Sequence, residues 1–62
     1  MSWMDDAYLG KRIEFIKRTL EVVECIESPI EEYPIRLKDI NTGDTFRMTT
    51  YDLDMKLKKE AV

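Results

Sequence analysis

Between Ile35 and Thr49 apolar and polar residues alternate on either side of a polar break. Ile35 and Leu37 alternate with Arg36 and Lys38, and Phe46 and Met48 with Arg47 and Thr49. Period-two alternation predicts half-buried strands, because successive side chains leave a strand on opposite faces. The break, Asp39-Ile40-Asn41-Thr42-Gly43-Asp44, contains an asparagine and a glycine able to supply the turn and its positive φ. A β-hairpin over residues 35–50 is the clearest element in the chain.

The run from Arg12 to Ile26 has the densest apolar content and admits two readings. As a helix, Leu9, Ile13, Ile16, Leu20 and Val23 recur at spacings of four, three, four and three, the seam of a coiled coil. Glu14 with Arg18 and Lys17 with Glu21 would add ion pairs along that helix. As strands, Ile13 and Phe15 share one face, and Leu20, Val22 and Ile26 share another beyond a break at Lys17, Arg18 and Thr19. Six of the eighteen residues from Lys11 to Ser28 are β-branched, which favours the pleated reading. A Lys-Arg-Thr turn has poor turn chemistry, so the break also reads as a bend in one long strand.

The flanks are shorter statements. Ser2, followed by Asp5 and Asp6, has the signature of a helix start, and Gly10 that of a helix end, which predicts a short helix over Trp3 to Leu9. Trp3, Met4, Tyr8 and Leu9 are expected to cover one side of the core. Pro29 and Pro34 bracket a loop, Ser28-Pro29-Ile30-Glu31-Glu32-Tyr33-Pro34. Tyr51 to Leu57 reads as one turn, which Asp52 can cap, leading into a short last strand, with Lys58 to Val62 a ragged end.

These elements predict a mostly β fold in one domain over residues 1–62: a short N-terminal helix and a small antiparallel barrel of four to five strands, closed to hide its edges. The hairpin, turn and last strand resemble the end of the SH3-like barrel in topology. The alternative is α+β, with one long helix over 11–27 packed on the hairpin at 35–50. A chain of 62 residues buries only about 60% of the surface its unfolded form exposes. Its single cysteine, Cys25, closes no internal disulfide, so a small core or a partner must supply stability.

Charge narrows the functional classes. The net charge of -3 disfavours nonspecific capture of a polyanion. With no apolar run of membrane-spanning length and no basic-then-apolar leader, the expectation is a cytoplasmic protein without membrane contact. No histidine is present, Cys25 sits among apolar neighbours, and no serine or threonine has an activating base nearby, so a non-enzymatic protein without cofactor is expected. The close carboxylates Asp52 with Asp54 and Glu31 with Glu32 read as solvated surface. Asp39, Asn41 and Asp44 are explained by the hairpin turn, and no metal is expected there. Signalling SH3 domains bind proline-rich peptides through an aromatic run near their first loop; nothing like it lies between Leu9 and Thr19, so that ligand is not carried over. Tyr33, Phe46 and Tyr51 read as core and rim rather than as an aromatic cage for a methylated lysine.

One pattern points outward. From Lys11 to Arg18 there are four bases and one acid, and from Thr19 to Ile35 five acids and no base. The acids either guard a β edge against aggregation or face a basic partner. The leading expectation is a protein-interaction module, an accessory or inhibitor that binds a partner protein through Glu27, Glu31, Glu32 and Tyr33. A second is single-stranded nucleic-acid binding, with Lys11, Arg12, Lys17 and Arg18 on phosphates and Phe46 or Tyr51 stacking on a base. A third is a helical homo-oligomer built on the seam from Leu9 to Val23.

Overall fold

The computed structural model describes residues 3–60, with side chains for residues 3–58. In chain order the elements are α1 (Trp3–Tyr8), β1 (Arg12–Phe15), β2 (Arg18–Cys25), β3 (Ile35–Asp39), β4 (Thr45–Met48) and α2 (Thr50–Glu60). The hairpin forms as its alternation requires. Leu37 lies opposite Phe46 and Ile35 opposite Met48, and all four point to the core side. At its turn the Asp39 N–H donates to the Asp44 carbonyl at 2.8 Å, and the Gly43 N–H donates to the Asp39 carbonyl at 2.9 Å. Gly43, at φ 83°, takes the left-handed position of the resulting bulge, where a side chain would be strained.

Residues 12–25 form strands, which removes the long helix over 11–27 and the coiled-coil seam. Ile13 pairs with Leu20, and Val22 pairs with Leu37, so all four become core; Ile16 falls in a turn and Val23 on the surface. The sheet collects Ile13, Leu20 and Val22 on one face, and β-branched side chains suit that surface. The turn itself is Ile16-Lys17, one residue earlier than the break at Lys17 to Thr19 suggested, and Phe15 pairs directly with Arg18 across it. Ile16 and Lys17 hold φ of 47° and 62°, the conformation that tight hairpins usually assign to Asn-Gly. Along β2 the register shifts between Val22 and Glu24, leaving Val23 as the extra residue of a β-bulge.

The four strands pair in the order β1-β2-β3-β4, and the sheet stays open. The expected closed barrel is therefore corrected to an open antiparallel sheet with two helices. The helices cover the core face where a barrel would place further sheet: Met4 and Tyr8 from α1 and Leu53 from α2 pack with Ile13, Leu20, Val22, Ile35 and Leu37. Burying these side chains is the main favourable term in so small a fold. The other face is polar, with Arg12, Glu14, Thr19 and Glu21 from β1 and β2, and Arg36, Lys38, Thr45 and Arg47 from β3 and β4.

Both chain ends differ in part from expectation. The segment after β4 is one helix, not a turn with a last strand. Thr49 starts it: its hydroxyl accepts the Asp52 N–H at 3.1 Å and its carbonyl accepts the Leu53 N–H at 3.1 Å. The cap is thus Thr49, and Asp52 stands in the first turn. Leu53 and Leu57 pack against the core while Met55 faces outward, so the four-residue repeat decides between the two patterns. Lys58 continues the helix instead of starting a ragged end. At the other end α1 forms, with Gly10 at φ 84° after it. Met4 and Tyr8 are buried, but Trp3 and Leu9 are exposed rather than core. The cap expected of Ser2 lies outside the described residues. Among the described residues no helix is long and apolar enough to cross a membrane.

Candidate partner-binding loop

The loop over residues 26–34 is built around its prolines and serine. Pro29 presets the φ of the second position of a turn that closes when the Glu31 N–H donates to the Ser28 carbonyl at 3.2 Å. The Ile30 N–H reaches the Ser28 hydroxyl at 3.4 Å, and the Tyr33 N–H donates to Glu31 Oε1 at 3.2 Å. The Ile26 N–H donates to the Pro34 carbonyl at 2.8 Å and holds the loop's base together. Arg36, from β3, fastens the far side: it donates to the Tyr33 carbonyl at 2.7 Å and lies 3.5 Å from Glu31. The Arg47 guanidinium lies 5.6 Å from the centre of the Tyr33 ring.

This bracing presents one apolar side chain to water. Ile30 is 89% exposed, the most exposed large hydrophobic residue among those described. Glu27 and Glu32 are exposed on either side of it. Of the four residues expected to bind a partner, the structure thus brings Glu27, Glu31, Glu32 and Tyr33 into one loop but gives them different positions. Glu31 turns back onto Arg36 and the Tyr33 N–H, and Tyr33 is partly engaged by Arg47.

The four bases expected to bind nucleic acid are divided. Arg12 lies on the polar face and pairs with Glu21 at 2.9 Å. Arg18 lies on the core side, where it bridges Asp39 at 3.0 Å and Asp44 at 3.1 Å and sits 5.2 Å from the centre of the Phe46 ring. Lys17 is in the turn and Lys11 precedes β1, both exposed. Phe46 is half-buried beside Arg18, and Tyr51 is exposed in the first turn of α2.

Asp39, Tyr8 and Cys25 have partners within the fold. Asp39 is buried and held below the usual carboxylate range, first by the Asn41 N–H, then by the Thr42 N–H and Arg18, against the opposing effect of its burial. Tyr8 donates its hydroxyl to Asp54 at 2.6 Å, joining α1 to α2; that bond and burial push its pKa up to about 12. Burial also pushes the Cys25 thiol upward, with Asp5 nearby adding to it.

Sequence reasoning did not single out Ile30, Arg36 or Arg47. An isoleucine between two prolines, outside every alternating run, was the available signal for the first. The arginines were legible only as outward positions of the hairpin. The chain matches no family model, no curated protein and no solved structure.

Proposed function

We propose that this chain is a non-enzymatic interaction module that binds a partner protein through the loop over residues 27–33. Ile30 enters an apolar pocket of the partner, and Glu27 and Glu32 meet a basic rim around it. The observation that carries this reading is Ile30 itself, 89% exposed at the apex of a loop braced on both sides. Burying such a side chain contributes about 1.5–3 kcal/mol, and a loop already held in shape loses little entropy on docking. Flanking carboxylates speed encounter with a positive surface and discourage wrong partners.

A role for these acids as guards against aggregation fits less well. Guarding belongs to the free edges of the sheet, which are β1 and β4, whereas Glu27 and Glu32 stand in the β2–β3 connection. The test is affinity capture from native lysate with the unaltered chain, Ile30→Asp and the pair Glu27→Lys with Glu32→Lys. The expected result is one stoichiometric protein, lost with Ile30→Asp, lost or strongly reduced with the charge reversals, and released by salt. Equal capture by all three chains would exclude the loop as the binding surface.

A further inference from the structure

The β4 edge and the polar face beside it carry a second surface, which adjoins the braced loop through Arg36 and Arg47 but does not include Ile30. At the end of the β3–β4 ladder the Asp39 N–H donates to the Asp44 carbonyl and the Asp39 carbonyl accepts from Gly43, so Asp39 stands at a hydrogen-bonded position of the ladder. Alternation then makes Leu37 with Phe46 the next hydrogen-bonded pair and Arg36 with Arg47 a non-hydrogen-bonded one. Two consequences follow from that phase. The main-chain N–H and C=O groups of Thr45 and Arg47 point away from β3, towards the open side of an edge strand. The side chains of Arg36 and Arg47 start from the closest kind of cross-strand pair, where like charges repel.

Arg36 is balanced by Glu31, but Arg47 has no carboxylate partner among the described residues and rests on the Tyr33 ring. Lys38 continues the positive strip on the same face. A shallow cleft of about 340 Å³ lies here, lined by Arg36, Thr45, Phe46 and Arg47. On the opposite side of β4, Phe46 and Met48 are only half-buried and border the core.

We propose that the β4 edge binds an extended acidic segment of a partner protein, which adds to the sheet as a fifth strand. Its main chain pairs with Thr45 and Arg47. Alternate carboxylates lie over Arg47 and Arg36 in the cleft, and the intervening apolar side chains cover Phe46 and Met48. This is strand addition, in which the backbone supplies affinity and alternate side chains supply selection. A nucleic acid fits the positive strip less well: it brings no strand to pair with the edge, and Glu21 and Glu24 occupy the neighbouring part of the same sheet.

The test uses the full chain, labelled with nitrogen-15, and blocked hexapeptides. One alternates glutamate and valine, one alternates lysine and valine, and one has its three glutamates contiguous; oligothymidylate is the fourth probe. Binding of the alternating acidic peptide is expected to move the Thr45 and Arg47 amide signals and slow their hydrogen exchange. Its affinity should fall about tenfold or more with Arg47→Glu and with Thr45→Pro, which blocks the edge at an N–H the ladder does not use. Ile30→Asp should leave it unchanged, so failure of the loop reading and failure of this one are separable. The proposal is overturned if the acidic peptide moves no β4 amide, if the lysine or contiguous peptide binds as tightly, or if only oligothymidylate binds there.

Discussion

Two loops of this molecule are braced in the same way and used differently. The β3–β4 turn is fastened by Arg18 from β2, and the β2–β3 loop by Arg36 from β3; each arginine meets a carboxylate of the loop it holds. In the β3–β4 turn one of the two carboxylates that meet Arg18 is turned inward. Asp39 is 2% exposed and accepts the N–H groups of Asn41 and Thr42, so the bracing serves the fold. In the β2–β3 loop Glu31 and Arg36 remain near the surface, and what the bracing fixes is the outward position of Ile30. Similar chemistry thus makes one loop a rivet and the other a presented surface. The difference lies in which side chain the closed turn leaves facing water.

That distinction predicts unequal responses to mutation. The largest effect belongs to the rivet: Asp39→Asn leaves Arg18 without its buried charge partner and should lower the thermal midpoint by several degrees. Its pH signature has a definite sign. The folded-state pKa of Asp39 is depressed, so its contribution is complete above the ordinary value of 3.8 and is lost as pH falls towards the folded value. Acid melts should therefore show the unaltered chain losing stability below about pH 4 and the Asn variant losing less over that window. Equal acid slopes would separate Asp39 from the stability of the hairpin.

A smaller effect is expected at the presented loop. Arg36→Ala removes a charge-assisted bond to the Tyr33 carbonyl and the contact with Glu31, costing about 1 kcal/mol by chemical denaturation. The more telling readout is faster amide exchange at Ile26 and Glu31 with little change in β1. Ile30→Ala is smallest of all, within about 0.5 kcal/mol, because the side chain touches little of the fold. A loss well beyond that would mean that Ile30 has a structural role in the fold.

How much of this could be read from the chain depended on where ordinary turn chemistry was present. Asn41 and Gly43 announced the β3–β4 turn, and the alternation around them fixed the hairpin's core face. The β1–β2 turn was misplaced because Ile16 and Lys17 take positive φ without glycine or asparagine. Backbone strain of that kind is set by pairing on both sides and leaves no mark in the local sequence. Exchanging them for Asn-Gly should raise stability by about 1 kcal/mol, measured by denaturant midpoint. The last helix was misread because Leu53, Met55 and Leu57 fit two periods, and only the Thr49 cap and the packing of α2 decide between them. The acidic loop was legible as a unit from its two prolines. The inward turn of Glu31 was not, because it depends on Arg36 arriving from the following strand.

The most direct test of the account compares the two loops on one protein. A photo-crosslinking amino acid replaces Ile30 in one chain and Ile40 in another, both apolar and exposed, at 89% and 44%. After irradiation in native lysate, position 30 should give one dominant adduct, with crosslinked peptides from an apolar pocket rimmed by lysine or arginine, and salt should suppress it. Position 40, on the turn that serves the fold, should give none. A dominant adduct at 40, or none at 30, would contradict the assignment of the braced β2–β3 loop as the surface this protein presents.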